Sequence, residues 1–264
     1  MLRVGFFQYA PTFGEIQRNL SRVSERVIRT ECDLLVLPEL FATGYQFVSR
    51  SEVEALAEPV PDGPTTRHLS ELARDRNMYL VAGLPERVGT HLYNSAVLVG
   101  PNGLMGCYRK THLFFEETVL FSPGDTGFQV WDLGQVRIGV MICFDWFYPE
   151  STRTLALKGA DIVCHPSNLV LPHCPDAMVT RCLENHLFGI TANRIGSEER
   201  GGNKRLTYIG NSEVVDPHGR ILHRASREWE ELVVVEIDPG EARNKALNPY
   251  NDLLRDRRTQ CYEL

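Results

Sequence analysis

Short apolar runs alternate with amphipathic stretches along the first third of the chain. Residues 2–9, 33–37 and 79–83 are rich in β-branched and other apolar side chains over the length of a buried strand. Residues 19–30 and 70–76, which separate these runs, have apolar positions at helical spacing. The pattern therefore predicts a β-α-β-α-β order.

The middle of the chain contains a hairpin signal. Two strand-like runs, 94–99 and 104–108, flank Pro101-Asn102-Gly103, a sequence that favours a tight turn. After the hairpin the alternation of the first part returns. We predict strands at 136–142, 161–165, 190–193, 212–215 and 232–237, and helices at 149–158 and 176–187.

Two segments in different halves of the chain share a pattern. Asp33-Leu-Leu-Val-Leu-Pro38-Glu39 and Asp161-Ile-Val-Cys-His-Pro166-Ser-Asn168 each contain an acid, four strand residues, a proline and then a polar side chain. This similarity suggests an internal two-fold. The strands outnumber those of one doubly wound sheet, so we expect two sheets packed face to face with helices outside. The predicted fold class is α/β, a four-layer α-β-β-α sandwich.

Composition and charge narrow the range of functions. The 264 residues are 43% hydrophobic and 23% charged, and no linker or low-complexity segment divides them, so a single globular domain over 1–264 is expected. The net charge of -6 and the scattered Lys and Arg residues provide no basic field for a phosphate backbone. Nucleic acid is therefore not an expected partner.

The distribution of apolar residues and cysteines bears on the compartment. No run approaches the length of a membrane span, and the first residues lack the features of a secretory signal. The seven cysteines are odd in number and include no Cys-x-x-Cys pair, which argues against a disulfide framework or a zinc ribbon. We expect the protein to lie in a reducing cytoplasm and to have no membrane partner.

Three residues at predicted strand ends could carry chemistry together. Glu39 follows a buried run, although a buried glutamate alone is more often a structural ion-pair partner. Lys110 ends the second hairpin strand, where a lysine is usually a surface charge. Cys143 ends the run 137–143, where most cysteines are small buried hydrophobes.

Their conjunction is more specific than any one of them. At a strand-to-helix junction, backbone N–H groups and a helix dipole are expected to lower the pKa of the Cys143 thiol and to bind an oxyanion. Strand ends are where open α/β sheets build their sites. A carboxylate, a cation and a thiol in such places supply a base, an anion stabiliser and a nucleophile.

The segments around these residues resemble signature motifs. Leu-Pro-Glu39-Leu, Tyr-Arg-Lys110-Thr-His-Leu and Ile-Cys143-Phe-Asp-Trp-Phe-Tyr-Pro-Glu150 are similar to the three motifs of the nitrilase-like carbon-nitrogen hydrolase family, in its order and spacing. The resemblance runs from Val4 to about Asp238. It implies an α-β-β-α sandwich that forms a homodimer or a higher homo-oligomer, with a C-terminal tail from about residue 240 at the subunit interface.

The resemblance also implies roles. Glu39 would be the general base, Cys143 the nucleophile and Lys110 the stabiliser of the tetrahedral intermediate. Glu117 matches a second glutamate that orients substrate, although Glu116 lies beside it.

The pocket residues are less sharply marked. Asn168 would face the pocket, although an Asx turn is an alternative. The backbone N–H of Phe144 would bind the oxyanion, and Trp146 would line the pocket. Tyr45, Phe114 and Tyr148 could also form its walls, but aromatic residues commonly pack in cores.

The implied chemistry is hydrolysis of non-peptide carbon-nitrogen bonds through a thioester, without a metal or organic cofactor. His112 and His165 are expected to be structural, and Asp145 to cap the following helix or to pair with a basic neighbour. His165, His173 and Cys174 would suggest a metallohydrolase, but their spacing lies outside common ligand patterns.

The substrate remains open at this point. Cys143-Phe144-Asp145 departs from the Cys-Trp-Glu of typical nitrilases, which favours a small aliphatic amide. A nitrilase of small aliphatic nitriles or dinitriles is the alternative. A carbamoyl-amine hydrolase and a non-catalytic binding protein are further hypotheses.

Overall fold

Two six-stranded sheets form the centre of the molecule. The computed structural model describes residues 1–262. The first sheet has the order β14-β1-β2-β3-β4-β5, built from β1 Leu2–Gln8, β2 Leu34–Val36, β3 Tyr79–Val88, β4 His91–Gly100, β5 Gly103–Arg109 and β14 Glu231–Ile237. The second has the order β13-β12-β9-β8-β7-β6, built from β6 Val130–Asp132, β7 Arg137–Val140, β8 Ile162–Pro166, β9 Phe188–Ala192, β12 Glu213–Val215 and β13 Ile221–Arg224.

The remaining elements lie outside the two sheets. Two short ribbons pair β10 Ser197–Glu198 with β11 Leu206–Thr207, and β15 Ala246–Asn248 with β16 Asn251–Asp252. The helices are α1 Ile16–Val27, α2 Arg50–Leu56, α3 Pro64–Arg76, α4 Glu117–Leu120, α5 Pro149–Leu157, α6 Cys174–Asn185 and α7 Gly240–Arg243, with 3-10 turns at Cys143–Phe147 and Thr259–Cys261.

The alternation of side chains along the strands produces the layers. In β2, Leu34 and Val36 point into the core between the two sheets, where they join Ile138 and Ile162 of the second sheet. Leu35 faces the opposite way. It packs in a second core with residues of α1 and α3, such as Val23 and Leu69. The four-layer α-β-β-α sandwich predicted from the sequence is therefore confirmed.

The two sheets repeat one topology. β1, β2 and β3 are parallel neighbours, as are β7, β8 and β9, and in each sheet two antiparallel strands follow on one side and one on the other. Strand β14 of the first sheet and strand β6 of the second thus lie at equivalent edges. The internal two-fold inferred from the repeated acid-strand-proline pattern is present in the strand order.

The helix boundaries differ from the sequence prediction where distant groups act. Helix α3 begins at Pro64 rather than at residue 70, because the buried Glu58 carboxylate accepts hydrogen bonds from the backbone N–H groups of Thr65 and Thr66. Helices α2 and α4 were not predicted; each spans at most two turns.

Two predictions concern membrane association and subunit assembly. Among the described residues, none of the helices is both long and apolar enough to span a membrane. The C-terminal tail, which begins with α7, carries the exposed side chains of Leu247 and Tyr250. Its location at a subunit interface stays a prediction, as does the single-domain assignment.

Candidate active site

Three strand ends converge on one buried cluster. Glu39 follows β2 and Lys110 follows β5 in the first sheet, whereas Cys143 follows β7 in the second. Gly83 of β3 permits the backbone of Glu39 to approach, because a Cβ atom at that glycine would lie 2.5 Å from the Glu39 Cα. The sequence predicted reactive groups at these strand ends, and the side chains of Glu39 and Lys110 are in direct contact.

Lys110 lies between two carboxylates. Its Nζ donates to Glu39 Oε1 at 2.7 Å and to Glu117 Oε1 at 2.8 Å, and all three side chains are buried. Glu116 points elsewhere and lies 3.5 Å from Asn203 Nδ2. Of the two adjacent glutamates, Glu117 is therefore the one that faces the lysine.

Each glutamate is held by further donors. Asn94 Nδ2 donates to Glu39 Oε1 at 2.6 Å. Tyr45 Oη donates to Glu117 Oε1 at 2.7 Å, and the backbone N–H of Phe114 donates to Glu117 Oε2 at 3.1 Å. The second oxygen of Glu39, Oε2, is buried and has no donor within residues 1–262. It is the carboxylate oxygen left free to take a proton.

Cys143 occupies a strained turn beside a small pocket. Its backbone φ is +41°, a left-handed conformation that is rare for a residue with a side chain and that recurs at functional sites. The cavity has a volume of about 20 Å³ and is lined by Phe114, Cys143, Phe144, Trp146, Asn168, Leu169, Val170 and Leu171. The predicted pocket residues Phe144, Trp146 and Asn168 thus lie together around the thiol.

Asn168 links the pocket to Glu39. Its Nδ2 donates to the backbone carbonyl of Glu39 at 2.9 Å, so its Oδ1 faces the other way. This Oδ1 is buried and without a donor in the described part of the chain. The Asx-turn alternative is thereby replaced by a long-range contact between the two halves of the fold.

Burial sets the protonation of the cluster. Burial raises the pKa of the Glu39 carboxyl, and it raises the pKa of the Cys143 thiol well above its usual value. The sequence-based expectation of a lowered thiol pKa is wrong. Desolvation of the thiolate, followed by repulsion from Glu39, outweighs the attraction of Lys110. The thiol is therefore neutral at rest.

The lysine remains charged in the same surroundings. Burial alone would lower the pKa of Lys110, but the carboxylates of Glu117 and Glu39 raise it overall. A fixed ammonium group therefore lies beside the Glu39 carboxyl. Such a group can stabilise a developing anion without reorganisation.

The polar neighbours of the cysteine turn have structural contacts. His165 is fully buried, its Nε2 lies 2.9 Å from the Cys143 carbonyl oxygen, and burial lowers the pKa of its imidazole to about 4. Asp145 does not cap helix α5, and it pairs with the basic neighbour His112 at 2.7 Å. The second of the two roles expected for Asp145 is the one observed.

Two residues of the cluster were not predicted from the sequence as its members. Asn94 was assigned only to a strand, and Tyr45 only to a possible pocket wall. Asn94 stands in the run Leu-Tyr-Asn-Ser-Ala-Val, where a buried amide in an apolar strand is a signal of a polar partner. Tyr45 had no such local signal, because its partner Glu117 lies 72 positions away.

His165, His173 and Cys174 have a spacing outside the common patterns of metal ligands. Among the residues that the structure describes, no three His, Cys, Asp or Glu side chains gather in a way that could hold a metal ion. The seven cysteines, all within this part of the chain, are unpaired.

Comparison with known proteins identifies the family. The family model described as carbon-nitrogen hydrolase matches residues 3–246. The chain belongs to the carbon-nitrogen hydrolase family. This hydrolase is 50% identical to a nitrilase of Pyrococcus abyssi, with 99% of each chain covered, and 37% identical to an (R)-stereoselective amidase of a Pseudomonas species, with 97% of this chain and 92% of the other covered.

Solved structures agree with this assignment. A carbon-nitrogen hydrolase from Helicobacter pylori superposes with a TM-score of 0.90 at 28% identity, covering 99% of this chain and 97% of the other. An amidase from a Nesterenkonia species, in which acrylamide is attached to the active-site cysteine, gives 0.81 at 28% identity, with 98% of each chain covered. This enzyme is a carbon-nitrogen hydrolase of the nitrilase and amidase type.

Proposed function

We propose that this carbon-nitrogen hydrolase converts a small aliphatic amide to the acid and ammonia, with Cys143 as nucleophile and no cofactor. The supporting observation is the pair of buried acceptors beside the thiol that have no donor within the described residues, Glu39 Oε2 and Asn168 Oδ1. A buried acceptor without a donor is costly. An amide NH₂ group offers two donors, whereas a nitrile offers none.

The size and lining of the pocket support a small, uncharged substrate. A cavity of about 20 Å³ is far smaller than common ligand pockets, which limits the substrate to a small molecule. Apart from the thiol and the Asn168 amide, its lining side chains are aromatic or aliphatic. Among the described residues, the Glu39 and Glu117 carboxylates near the thiol both pair with the Lys110 ammonium group, which disfavours a cationic carbamoyl amine there.

The proposed first half-reaction uses the Cys143 thiol, Glu39, Lys110 and the backbone N–H of Phe144. Glu39 takes the proton of the Cys143 thiol, and the sulfur attacks the amide carbon to form an S–C bond. The negative charge that develops on the carbonyl oxygen faces the Lys110 ammonium and the backbone N–H of Phe144. Glu39 then returns its proton to the nitrogen, the C–N bond breaks, and ammonia leaves a thioester.

The second half-reaction uses the same groups. Glu39 takes a proton from water, and the resulting hydroxide attacks the thioester carbon. The C–S bond breaks, the sulfur recovers the proton, and the acid leaves. Glu117 orients the ammonium of Lys110 and the substrate. This sequence requires Glu39 to be ionised and the thiol to be neutral at the start, which agrees with the direction of the thiol pKa.

A nitrile substrate is the second candidate. The observation in its favour is the 50% identity to a protein named nitrilase over nearly the whole of both chains. In that reaction the sulfur would attack the nitrile carbon to form a thioimidate, and water would then add to the same carbon. The nitrogen would gain one proton from the thiol and two from this water and leave as ammonia, which gives the same thioester. The same pocket would take short aliphatic nitriles or dinitriles.

Matched substrates can separate the two candidates. Ammonia release should be measured with acetamide against acetonitrile, propionamide against propionitrile, and malonamide against malononitrile. We expect turnover of the amides that is lost in Cys143→Ala and kept in Cys164→Ala, which removes a buried thiol of β8 outside the pocket. Turnover of the nitriles alone would refute the amide assignment.

The binding-protein hypothesis has its own test. If neither panel releases ammonia, the reactivity of Cys143 towards iodoacetamide should be compared with that of the other six cysteines. A preferentially reactive Cys143 would point to an untested substrate. A Cys143 that reacts no faster than the others would support a non-catalytic binding protein.

The enzyme is further proposed to act in the cytoplasm as a homodimer or higher homo-oligomer. Unpaired cysteines fit a reducing compartment. The C-terminal tail exposes 62% of Leu247 and 92% of Tyr250, apolar surface that a second copy would cover. Light scattering should give at least twice the chain mass; the mass of one chain would contradict the assembly.

A further inference from the structure

Asp145 is a fully buried carboxylate that accepts four hydrogen bonds. Its Oδ2 accepts from the backbone N–H of Ile142 at 2.9 Å and from Tyr108 Oη at 2.7 Å. Its Oδ1 accepts from the backbone N–H of His112 at 3.0 Å and from His112 Nδ1 at 2.7 Å. Within residues 1–262 no lysine or arginine side chain pairs with it, so these four donors are what compensate its burial.

The donors come from the two segments that carry the reactive groups. Tyr108 and His112 lie two residues on either side of Lys110, at the end of β5 in the first sheet. Ile142 directly precedes Cys143, after β7 in the second sheet. One carboxylate therefore connects the residues that flank the ammonium group to the residue before the thiol, across the interface between the sheets.

The same carboxylate closes the turn of the nucleophile. The backbone N–H of Asp145 donates to the Ile142 carbonyl at 3.0 Å, while its side chain accepts from the Ile142 N–H. These two bonds enclose Cys143 and Phe144, and the φ of +41° at Cys143 is unfavourable without such support. Without the carboxylate, the turn could change its conformation and its distance from Lys110.

We propose that Asp145 is a positioning residue that sets the placement of the Cys143 sulfur relative to the Lys110 ammonium group. The inference rests on the proposed function, since it assumes that this sulfur attacks and that this ammonium stabilises the anion. It explains why an acid two residues after the nucleophile is fully buried although it does not line the pocket. His112 keeps its Nδ1 protonated to donate to this carboxylate.

The test uses Asp145→Asn with Asp161→Asn as matched control. Asp161 is also buried, and it accepts from the backbone N–H of Arg137 at 2.9 Å, at the opposite end of β7. We expect Asp145→Asn to lower both kcat and the rate of Cys143 alkylation by roughly 100-fold, as a misplacement of about 1 Å does, with little change in KM. Asp161→Asn should lower the melting temperature but keep both rates.

A second variant covers the case in which Asp145→Asn does not fold. Tyr108→Phe removes one of the four donors and keeps the ring, so kcat should fall about tenfold, as for the loss of one hydrogen bond to a charged group. Wild-type kcat and alkylation in a folded Asp145→Asn, or in Tyr108→Phe if the former is unfolded, would overturn the proposal.

The two proposals can fail separately. If the wild-type enzyme releases ammonia from neither amides nor nitriles, the proposed function fails. The alkylation rates still report on the thiol turn in that case. Equal alkylation of Cys143 in the wild type, Asp145→Asn and Asp161→Asn would refute the positioning role whatever the substrate.

Discussion

The two sheets are alike at one end of their strands and different at the other. At the start of β1, the backbone N–H of Arg3 donates to the Asp33 carboxylate at 2.8 Å; at the start of β7, the N–H of Arg137 donates to Asp161 at 2.9 Å. The acids of the repeated sequence pattern therefore serve the same purpose in both halves. They satisfy a strand-starting amide and fix the pairing of two parallel strands.

The opposite strand ends carry different side chains in equivalent positions. Val4 pairs with Leu34, and Ile138 with Ile162, one residue after the acid in each half. Counting from these pairs makes Tyr9 the counterpart of Cys143. By the same count Ser167 is the counterpart of Glu39.

At these two pairs of positions, the first half contributes Glu39 and the second half contributes Cys143. At each of these positions the other half has a side chain in a hydrogen bond within the fold: Tyr9 Oη donates to the Phe41 carbonyl, and Ser167 Oγ lies 3.1 Å from His165 Nε2. The two halves share a backbone topology. The proposed chemistry uses residues at which the two halves differ. Substitutions at these equivalent positions can therefore test the role assigned to each residue.

The largest expected effect is at the Cys143 and Tyr9 positions. Cys143→Ala removes the proposed nucleophile, so ammonia release should fall by roughly 10⁴-fold or more. Tyr9→Phe removes only a hydroxyl and should cost about 1 kcal/mol of stability with activity nearly kept. Both can be measured by ammonia release and denaturant unfolding. If Tyr9→Phe were as inactive as Cys143→Ala, the assignment of a structural role to Tyr9 and a catalytic role to Cys143 would be contradicted.

A smaller effect is expected at Glu39 and Ser167. Glu39→Gln keeps the shape but cannot take a proton, so kcat/KM should fall by roughly 10²- to 10⁴-fold, the usual contribution of a general base. Ser167→Ala should keep most of the activity.

The pH profile provides an independent reading of the same pair. Because burial raises the pKa of the Glu39 carboxyl, the wild-type rate should rise with pH over a range above that of an exposed glutamate. Ser167→Ala should keep this acid limb. Survival of the limb in Glu39→Gln would assign it to another group.

The smallest effect concerns the stability contributed by two buried glutamates that pair with arginines on the equivalent outer strands β5 and β13. Glu86 faces Arg109 of β5, and Glu213 faces Arg224 of β13, the equivalent outer strand. Glu86 receives both Nε and Nη2 of its arginine, whereas Glu213 Oε1 has no donor among the described residues. Burial raises the pKa of Glu213 to about 7.

A raised folded-state pKa fixes the sign of the pH dependence. The folded protein holds the Glu213 proton more tightly than the unfolded chain, so this contribution is full below pH 4.5 and is lost as pH rises through about 7. Relative to Glu213→Gln, the wild-type free energy of unfolding should fall by roughly 3 kcal/mol over that range. Urea unfolding of both proteins between pH 4 and 8 measures the difference, and a flat difference would contradict it.

The strands and layers were predictable because their signals are local. In β2 the alternation of Leu34, Leu35 and Val36 is enough to give each residue a face, and the repeated acid-proline pattern reveals the two-fold. Helix starts were less predictable. The beginning of α3 depends on the Glu58 carboxylate, which no pattern around Pro64 contains.

The site was predictable in its members and not in its electrostatics. Glu39, Lys110 and Cys143 carry recognisable motifs at strand ends, and the structure brings the first two into contact at 2.7 Å. The direction of the thiol pKa was predicted wrongly, because local N–H groups and helix position are visible in sequence whereas desolvation is not. Asn94 joined the cluster only through the register of β4.

The sequence by itself determined the α-β-β-α class, the internal repeat and the residues able to supply a base, a cation and a nucleophile. Those properties depend on side-chain type and on spacing along the chain. Only the tertiary structure decided that Glu117 rather than Glu116 faces Lys110, that Asn168 contacts Glu39, and that burial keeps the thiol neutral. These depend on which groups meet and on how much water they lose, quantities that arise only when the two sheets pack together.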